Sequence, residues 1–219
     1  MIKFEVSGKS VEAYVAVPKS ASGPGVLVLH AWWGLTEFFK SLCDRFANDG
    51  FVALAPDIYH GKTASTVDDA KRLSFKLKSP TVMKEISGAA TYLRSHSAVI
   101  GERIGVIGFS LGGYYALGLA GLRPDDVGAV VIFYGTRTLN YRKTKAAFLG
   151  HFAEDDKWAP VEKARELEKR IHDAGKEATF HIYPRTKHWF FEADRPDAYD
   201  ANAAHLAWNR TVDFLRSRL

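Results

Sequence analysis

Gly105-Val106-Ile107-Gly108-Phe109-Ser110-Leu111-Gly112-Gly113 is the stretch that decides the fold of this chain. Before it, Ile104 to Ile107 is a short apolar run bounded by Glu102 and Arg103, the pattern of a buried strand. After it, Tyr114 to Ala120 has the length and Ala/Leu content of a helix. Between the two, Ser110 has glycine two residues before and two after, the Gly-x-Ser-x-Gly spacing of a nucleophile elbow. A serine on a sharp strand-to-helix turn needs neighbours without Cβ atoms where the two backbones close on each other. Its hydroxyl would stand at the top of the sheet and at a helix N-terminus, where unpaired amides and the positive dipole end suit a developing oxyanion. The same pentapeptide also fits a turn that only packs a helix on a parallel sheet, so its meaning depends on the rest of the chain. Its glycines spell neither Gly-x-Gly-x-x-Gly nor a P-loop, which sets nucleotide binding aside.

A chain of 219 residues is a natural size for one α/β domain, here spanning 1–219. Hydrophobic content of 47% and charged content of 25% are ordinary for a globular protein. No apolar run approaches the roughly 18 residues of a membrane span, and Lys3, Glu5 and Lys9 interrupt any signal-peptide pattern. One cysteine, Cys43, excludes an internal disulfide and fits the cytoplasm, and its place beside Leu42 in a helical pattern reads as a packed thiol. The net charge of +5 does not point to nucleic acid, because Lys and Arg are scattered among acids and form no stripe. No repeat or linker-like segment marks a second domain.

Working outward, Ile2 to Val6 and Val11 to Val17 flank Ser7-Gly8-Lys9 as a hairpin. Val26 to Leu29 and Phe51 to Ala55 are runs of strands buried on both faces, separated by a helix carrying Phe38, Phe39, Leu42 and Phe46 and closed by Gly50. A basic helix from Asp68 to Lys78 and a second from Thr81 to His96 meet at Ser79-Pro80. Beyond the elbow come strands at Gly128 to Phe133, Ala146 to Gly150 and Ala178 to Tyr183. Helices follow at Val161 to Ala174, where Glu162, Glu166, Arg165 and Lys169 suggest i, i+4 pairing, and at Ala198 to Arg218. Eight strands with helices interleaved from the third onward specify a mostly parallel, doubly wound α/β sheet, whose ligands bind beyond the carboxyl ends of the strands.

A serine hydroxyl needs a base to take its proton and a third group to orient that base. The strand ending near Gly150 runs into His151-Phe152-Ala153-Glu154-Asp155-Asp156-Lys157-Trp158-Ala159-Pro160, a loop rich in carboxylates. The last strand runs into Tyr183-Pro184-Arg185-Thr186-Lys187-His188-Trp189-Phe190, which offers a histidine in the same position. Serine, then aspartate, then histidine is the chain order of the α/β-hydrolase arrangement. His30 and His151, also at strand ends, read as structural histidines supporting the cleft. No His-Glu-x-x-His or Cys-x-x-Cys spacing points to a metal, and no cofactor motif is present.

Nearly the whole chain resembles the dienelactone hydrolase family of α/β hydrolases. The resemblance rests on His30-Ala31-Trp32-Trp33-Gly34, Gly50-Phe51, Ala55-Pro56-Asp57-Ile58-Tyr59, the elbow, Gly150 through Pro160 and Tyr183 through Phe190. It selects Asp156 over Asp155 as the acid and His188 as the base. It also brings departures: the name-giving enzymes use a cysteine nucleophile assisted by an acid after the third strand, where this chain has Ser110 and Ala31. An arginine they carry four residues after the histidine, to hold the substrate carboxylate, is here Glu192.

The expected activity is therefore ester or lactone hydrolysis by Ser110, His188 and Asp156, with the oxyanion held by amides of Leu111 and of Ala31 or Trp32. Trp33, Tyr134, Trp158 and Trp189, each just past a strand, are candidate substrate-binding residues. The short connection from Phe133 to Ala146 leaves no room for a large lid domain, which favours small substrates. The expected partner is a small-molecule ester or lactone, with no nucleic acid or membrane and a monomer or weak homodimer. The alternative is a non-catalytic small-molecule binding protein on the same fold. Acyl-peptide cleavage is disfavoured because no gating domain is encoded.

Overall fold

Ser7 and Gly8, both at positive φ (50° and 74°), make the two-residue turn that folds β1 (Ile2–Val6) back on β2 (Lys9–Ala16), with Val6 opposite Lys9. The computed structural model describes residues 1–219, and the remaining elements follow in the order the apolar runs indicate. They are β3 (Gly23–Leu29), α1 (Glu37–Asn48), β4 (Val52–Pro56), α2 (Val67–Phe75), α3 (Ser79–Ser95), β5 (Val99–Phe109) and α4 (Leu111–Leu122), followed by β6 (Val127–Phe133), β7 (Ala147–Asp155), α5 (Val161–Asp173), β8 (Ala178–Lys187) and α6 (Ala201–Arg218). Thr66 caps α2 by accepting from the Asp69 amide, and Pro80 opens α3, where a missing N–H costs nothing.

All eight strands form one sheet in the order β1-β2-β4-β3-β5-β6-β7-β8. The β1/β2 and β2/β4 pairs are antiparallel; the others are parallel. Strands β4 and β6 are buried along their whole length, as continuous apolar runs require when helices cover both faces. The chain steps from β3 outward to β4, then back across β3 to β5 and onward. Right-handed crossovers therefore put α1 on one face and α3, α4 and α5 on the other. Helix α6 returns to the α1 side, where Trp208 packs on Phe46 with ring centroids 4.6 Å apart. The direction of winding reverses at β3 and β5, so the crevice beyond their carboxyl ends is where a ligand belongs.

No helix is long and apolar enough to cross a membrane. On α5 the charges pair differently from the i, i+4 expectation, since Glu162 with Glu166 and Arg165 with Lys169 are like-charged. The opposite-charge partners are Lys163 with Glu166, Arg165 with Glu168 and Lys169 with Asp173. These exposed pairs are each worth roughly 0–1 kcal/mol, so α5 is held instead by its buried Ala164, Leu167 and Ile171.

Candidate active site

Ser110 stands between β5 and α4 with φ 50° and ψ −108°, a conformation L-residues avoid. Two backbone bonds hold it there: its amide donates to the Phe133 carbonyl at 2.9 Å, and its carbonyl accepts from the Tyr114 amide at 3.1 Å. A Cβ at Gly108 would lie 2.3 Å from the Gly112 carbonyl oxygen, and one at Gly112 would lie 2.1 Å from the Leu29 carbonyl oxygen. Both obstacles are backbone and cannot turn aside, which is why the elbow needs glycine at these two positions. Gly112→Ala is accordingly expected to cost about 3 kcal/mol, the upper end of the range for overpacking, read as a lower urea midpoint. A midpoint equal to the parent's would contradict the closeness of α4 and β3.

The sheet register then brings the other side chains together. Phe109 pairs with Phe133, so Ser110 and Tyr134 are the next residues on adjoining strands. Asp155 pairs with Lys187, so Asp156 and His188 follow side by side. Imidazole Nε2 of His188 lies 2.9 Å from Ser110 Oγ, and Nδ1 lies 2.7 Å from Asp156 Oδ2. The other carboxylate oxygen of Asp156 accepts from the amides of Trp158 and Ala159 at 2.8 and 2.9 Å. That side chain is fully shielded from solvent, and its three partners meet the demand that a buried charge be hydrogen-bonded.

The two other strand-end histidines are structural. His151 is buried between the Tyr183 and Thr211 hydroxyls, and burial pushes its pKa well below the ordinary value, with His181 and Arg210 adding to the effect. His30 is also fully buried, accepts weakly from the Ile58 amide and is shifted down mainly by burial. Cys43 is buried in α1, and burial pushes its thiol up, so it is a packing group. No group of three or more His, Cys, Asp or Glu side chains is arranged to hold a metal.

A cavity of about 270 Å³ opens over Ser110, lined by Trp32, Leu111, Tyr114, Tyr134, Trp158 and His188 among others. The amides of Leu111, first residue of α4, and of Trp32, in the turn after β3, donate to no other protein group. Of the pair Ala31 and Trp32, only Trp32 reaches this cavity, while Ala31 is wholly buried. A larger neighbouring cavity of about 570 Å³ shares Trp158 and His188 with the first, and it contains Trp33 and Trp189. Trp33 and Trp189 therefore do not line the Ser110 cavity itself. The Trp33 ring is turned under the Arg195 guanidinium, 3.9 Å from its centroid. Trp158 is half exposed at the mouth and lies 5.0 Å, ring to ring, from Trp32. Ser74 of α2 also reaches the Ser110 cavity, so the helix met as a basic segment in sequence is part of the wall.

Tyr134 touches the cavity but is 1% exposed, because its hydroxyl points inward and donates to Glu192 Oε1 at 2.7 Å. Glu192 is completely buried, and its second oxygen has no hydrogen-bond partner. Burial pushes this carboxyl up to about 8; Asp194 adds to the rise, while Tyr134 and Arg195 oppose it. Residue-type spacing carries no sign of this contact, since the partners are 58 positions apart and neither lies in a recurring motif.

Residues 11–219 match the family model described as the dienelactone hydrolase family. The chain is 35% identical to "Protein usf" of Aquifex pyrophilus, over 100% of this chain and 98% of that protein. It is 32% identical to the "Putative carboxymethylenebutenolidase" of Aquifex aeolicus, again over 100% of this chain and 98% of the relative. Among solved structures it is similar to the "Putative Dienelactone Hydrolase" of Klebsiella pneumoniae, with a TM-score of 0.85 and 25% identity over 96% of this chain and 95% of that one.

Proposed function

The chain belongs to the dienelactone hydrolase family, and on that premise we propose that it cleaves small carboxylic esters or lactones by acyl transfer through Ser110, His188 and Asp156. It is a hydrolase acting on ester or lactone bonds. The observation that carries the proposed mechanism is the unbroken hydrogen-bonded chain from Asp156 through His188 to Ser110. We read residues 1–219 as one hydrolase domain, on the strength of a continuous core that takes in buried residues from Ala13 to Leu215.

In this mechanism His188 Nε2 takes the Ser110 proton as Oγ attacks the carbonyl carbon. The negative charge gathers on the carbonyl oxygen, where the Leu111 and Trp32 amides donate to it; losing one such donor typically costs about a hundred- to a thousandfold. Asp156 holds the imidazole with its proton on Nδ1 and stabilises the imidazolium, which then protonates the departing alkoxide. Water, deprotonated by the same imidazole, attacks the acyl-serine and releases the acid. Bond cleavage of this kind is not a redox reaction, so water is the only co-reactant it needs. A small cavity over Ser110 and a Phe133-to-Ala147 connection without a helix favour small soluble substrates over lipid droplets.

A fluorophosphonate probe tests the reading directly, because it reacts by preference with a serine activated by a neighbouring base. Stoichiometric labelling at Ser110, together with turnover of some member of a panel of esters and lactones, is the expected result. A native, folded protein that stays unlabelled at any probe concentration would instead point to the binding-protein alternative.

A further inference from the structure

The loop that follows β8 grips Tyr134 from two sides. The His188 ring packs on it at a tilt of 53°, with centroids 4.7 Å apart, and Glu192 accepts from its hydroxyl at 2.7 Å. The tyrosine is itself fixed at its backbone: it has a positive φ of 39°, and its amide donates to the His151 carbonyl on β7 at 2.8 Å. The ring is thus a strut between the end of β6 and the turn after β8 that carries the histidine. Besides the bonds His188 makes to Ser110 and Asp156, this is the side-chain hydrogen bond that ties the loop to the end of β6. We propose that Glu192, through its hydrogen bond to Tyr134, is a positioning residue that sets the His188 imidazole against Ser110. This inference rests on the Ser110-His188-Asp156 reading above.

The chemistry of the buried pair explains why the carboxyl must stay uncharged to do this. Its Oε2 has no donor, so an ionised Glu192 would leave an unmatched charge in the core, at several times the cost of an unmatched neutral oxygen. The ionisable groups facing it are Tyr134 from the end of β6 and Asp194 and Arg195 from its own loop. Tyr134 in turn faces Asp194 and Asp156. Two carboxylates against one guanidinium leave no net cation to welcome a further negative charge. With the carboxyl held up to about 8, the neutral acid persists through neutral pH and is lost above that value. Water must then enter to solvate the charge, and the loop bearing His188 loosens with it.

The stability consequence has a definite sign. A carboxyl raised above its ordinary 4.5 is ionised in the unfolded chain before it is ionised in the folded one. Stability is therefore lost as pH rises from about 4.5 to about 8 and is level outside that window.

The test compares Glu192→Gln, Glu192→Ala and Tyr134→Phe with the parent, measuring kcat and KM on one p-nitrophenyl ester across the pH range, with fluorophosphonate labelling of each. Glu192→Ala and Tyr134→Phe are expected to lower kcat about 10- to 100-fold with KM nearly constant, the scale of a small displacement of a reacting group. Glu192→Gln, which keeps the shape and a neutral oxygen for Tyr134, is expected to restore kcat to within about threefold of the parent. It should also remove the parent's fall in kcat above about pH 8 and raise the melting temperature at pH 8 but not at pH 4. If kcat is the same in all four proteins, or the alkaline fall is unchanged in Glu192→Gln, the inference is overturned while the serine mechanism stands. If the parent is neither labelled nor active, it is the mechanism that fails. Should the alanine variant not fold, the glutamine and phenylalanine variants still decide the matter.

Discussion

Ser110→Ala is expected to lower kcat on a p-nitrophenyl ester by about 10⁵-fold or more while leaving the protein folded. The size of the loss follows from what remains. Without Oγ there is no nucleophile for His188 to activate, yet the Leu111 and Trp32 amides still polarise a bound carbonyl. Enzymes of this kind stripped of their serine retain about 10³ to 10⁴ over water from such groups alone. At about 1.4 kcal/mol per factor of ten, the side-chain oxygen would account for about 7 kcal/mol of transition-state stabilisation. The thermal midpoint should barely move, because only one oxygen is removed and the φ of 50° at this position is imposed by flanking backbone bonds that alanine keeps. Activity within tenfold of the parent would remove Ser110 from the chemistry.

Asp156→Asn should cost about 10⁴-fold in kcat at neutral pH. An asparagine fits the same volume and can still accept from the Trp158 and Ala159 amides through its carbonyl oxygen. That choice turns its NH₂ group toward His188 Nδ1, 2.7 Å from the present Oδ2 position. Two donors cannot share one bond, so the imidazole moves its proton to Nε2 and can no longer accept one from Ser110. The effect is electrostatic and tautomeric, with the architecture intact. Asp155→Asn, at an exposed neighbour, should fall far less. The two variants together separate a positioned carboxylate from general acidity in the loop. Equal effects of the two would reverse the choice of Asp156 over Asp155.

Much of this site is legible in the sequence alone, and the reasons are local. Gly108 and Gly112 announce a tight turn around Ser110 because a Cβ at either would lie about 2 Å from a backbone oxygen. Asp156 and His188 stand out in the sequence because each lies just past an apolar run, and the fold places strand ends together. The runs nevertheless stop short of the true strand ends. Strand β7 continues five residues beyond Gly150, from His151 to Asp155, and β8 four residues beyond Tyr183, from Pro184 to Lys187. Both extensions end in polar, exposed residues, so periodicity does not reveal how far they run, yet they are what brings Asp156 and His188 to Ser110.

The cleft walls were less legible. A tryptophan just past a strand can turn in either direction, and Trp33 packs under Arg195 in the neighbouring cavity while Trp32 borders Ser110. The Tyr134–Glu192 contact is a matter of tertiary packing alone. In sequence Glu192 is only an acid where the resemblance leads one to expect an arginine; in the fold it is a fully buried partner of a tyrosine.

Four of the five indoles of the chain cluster around Trp32, which meets Trp33, Trp158 and Trp189, while Trp208 lies apart on α6. Ultraviolet emission from the whole molecule is consequently weighted toward the mouth of the cleft. The protein carries its own optical gauge, in which a compound settling beside the serine alters the signal of most of the fluorophores at once, with no dye attached and no turnover required.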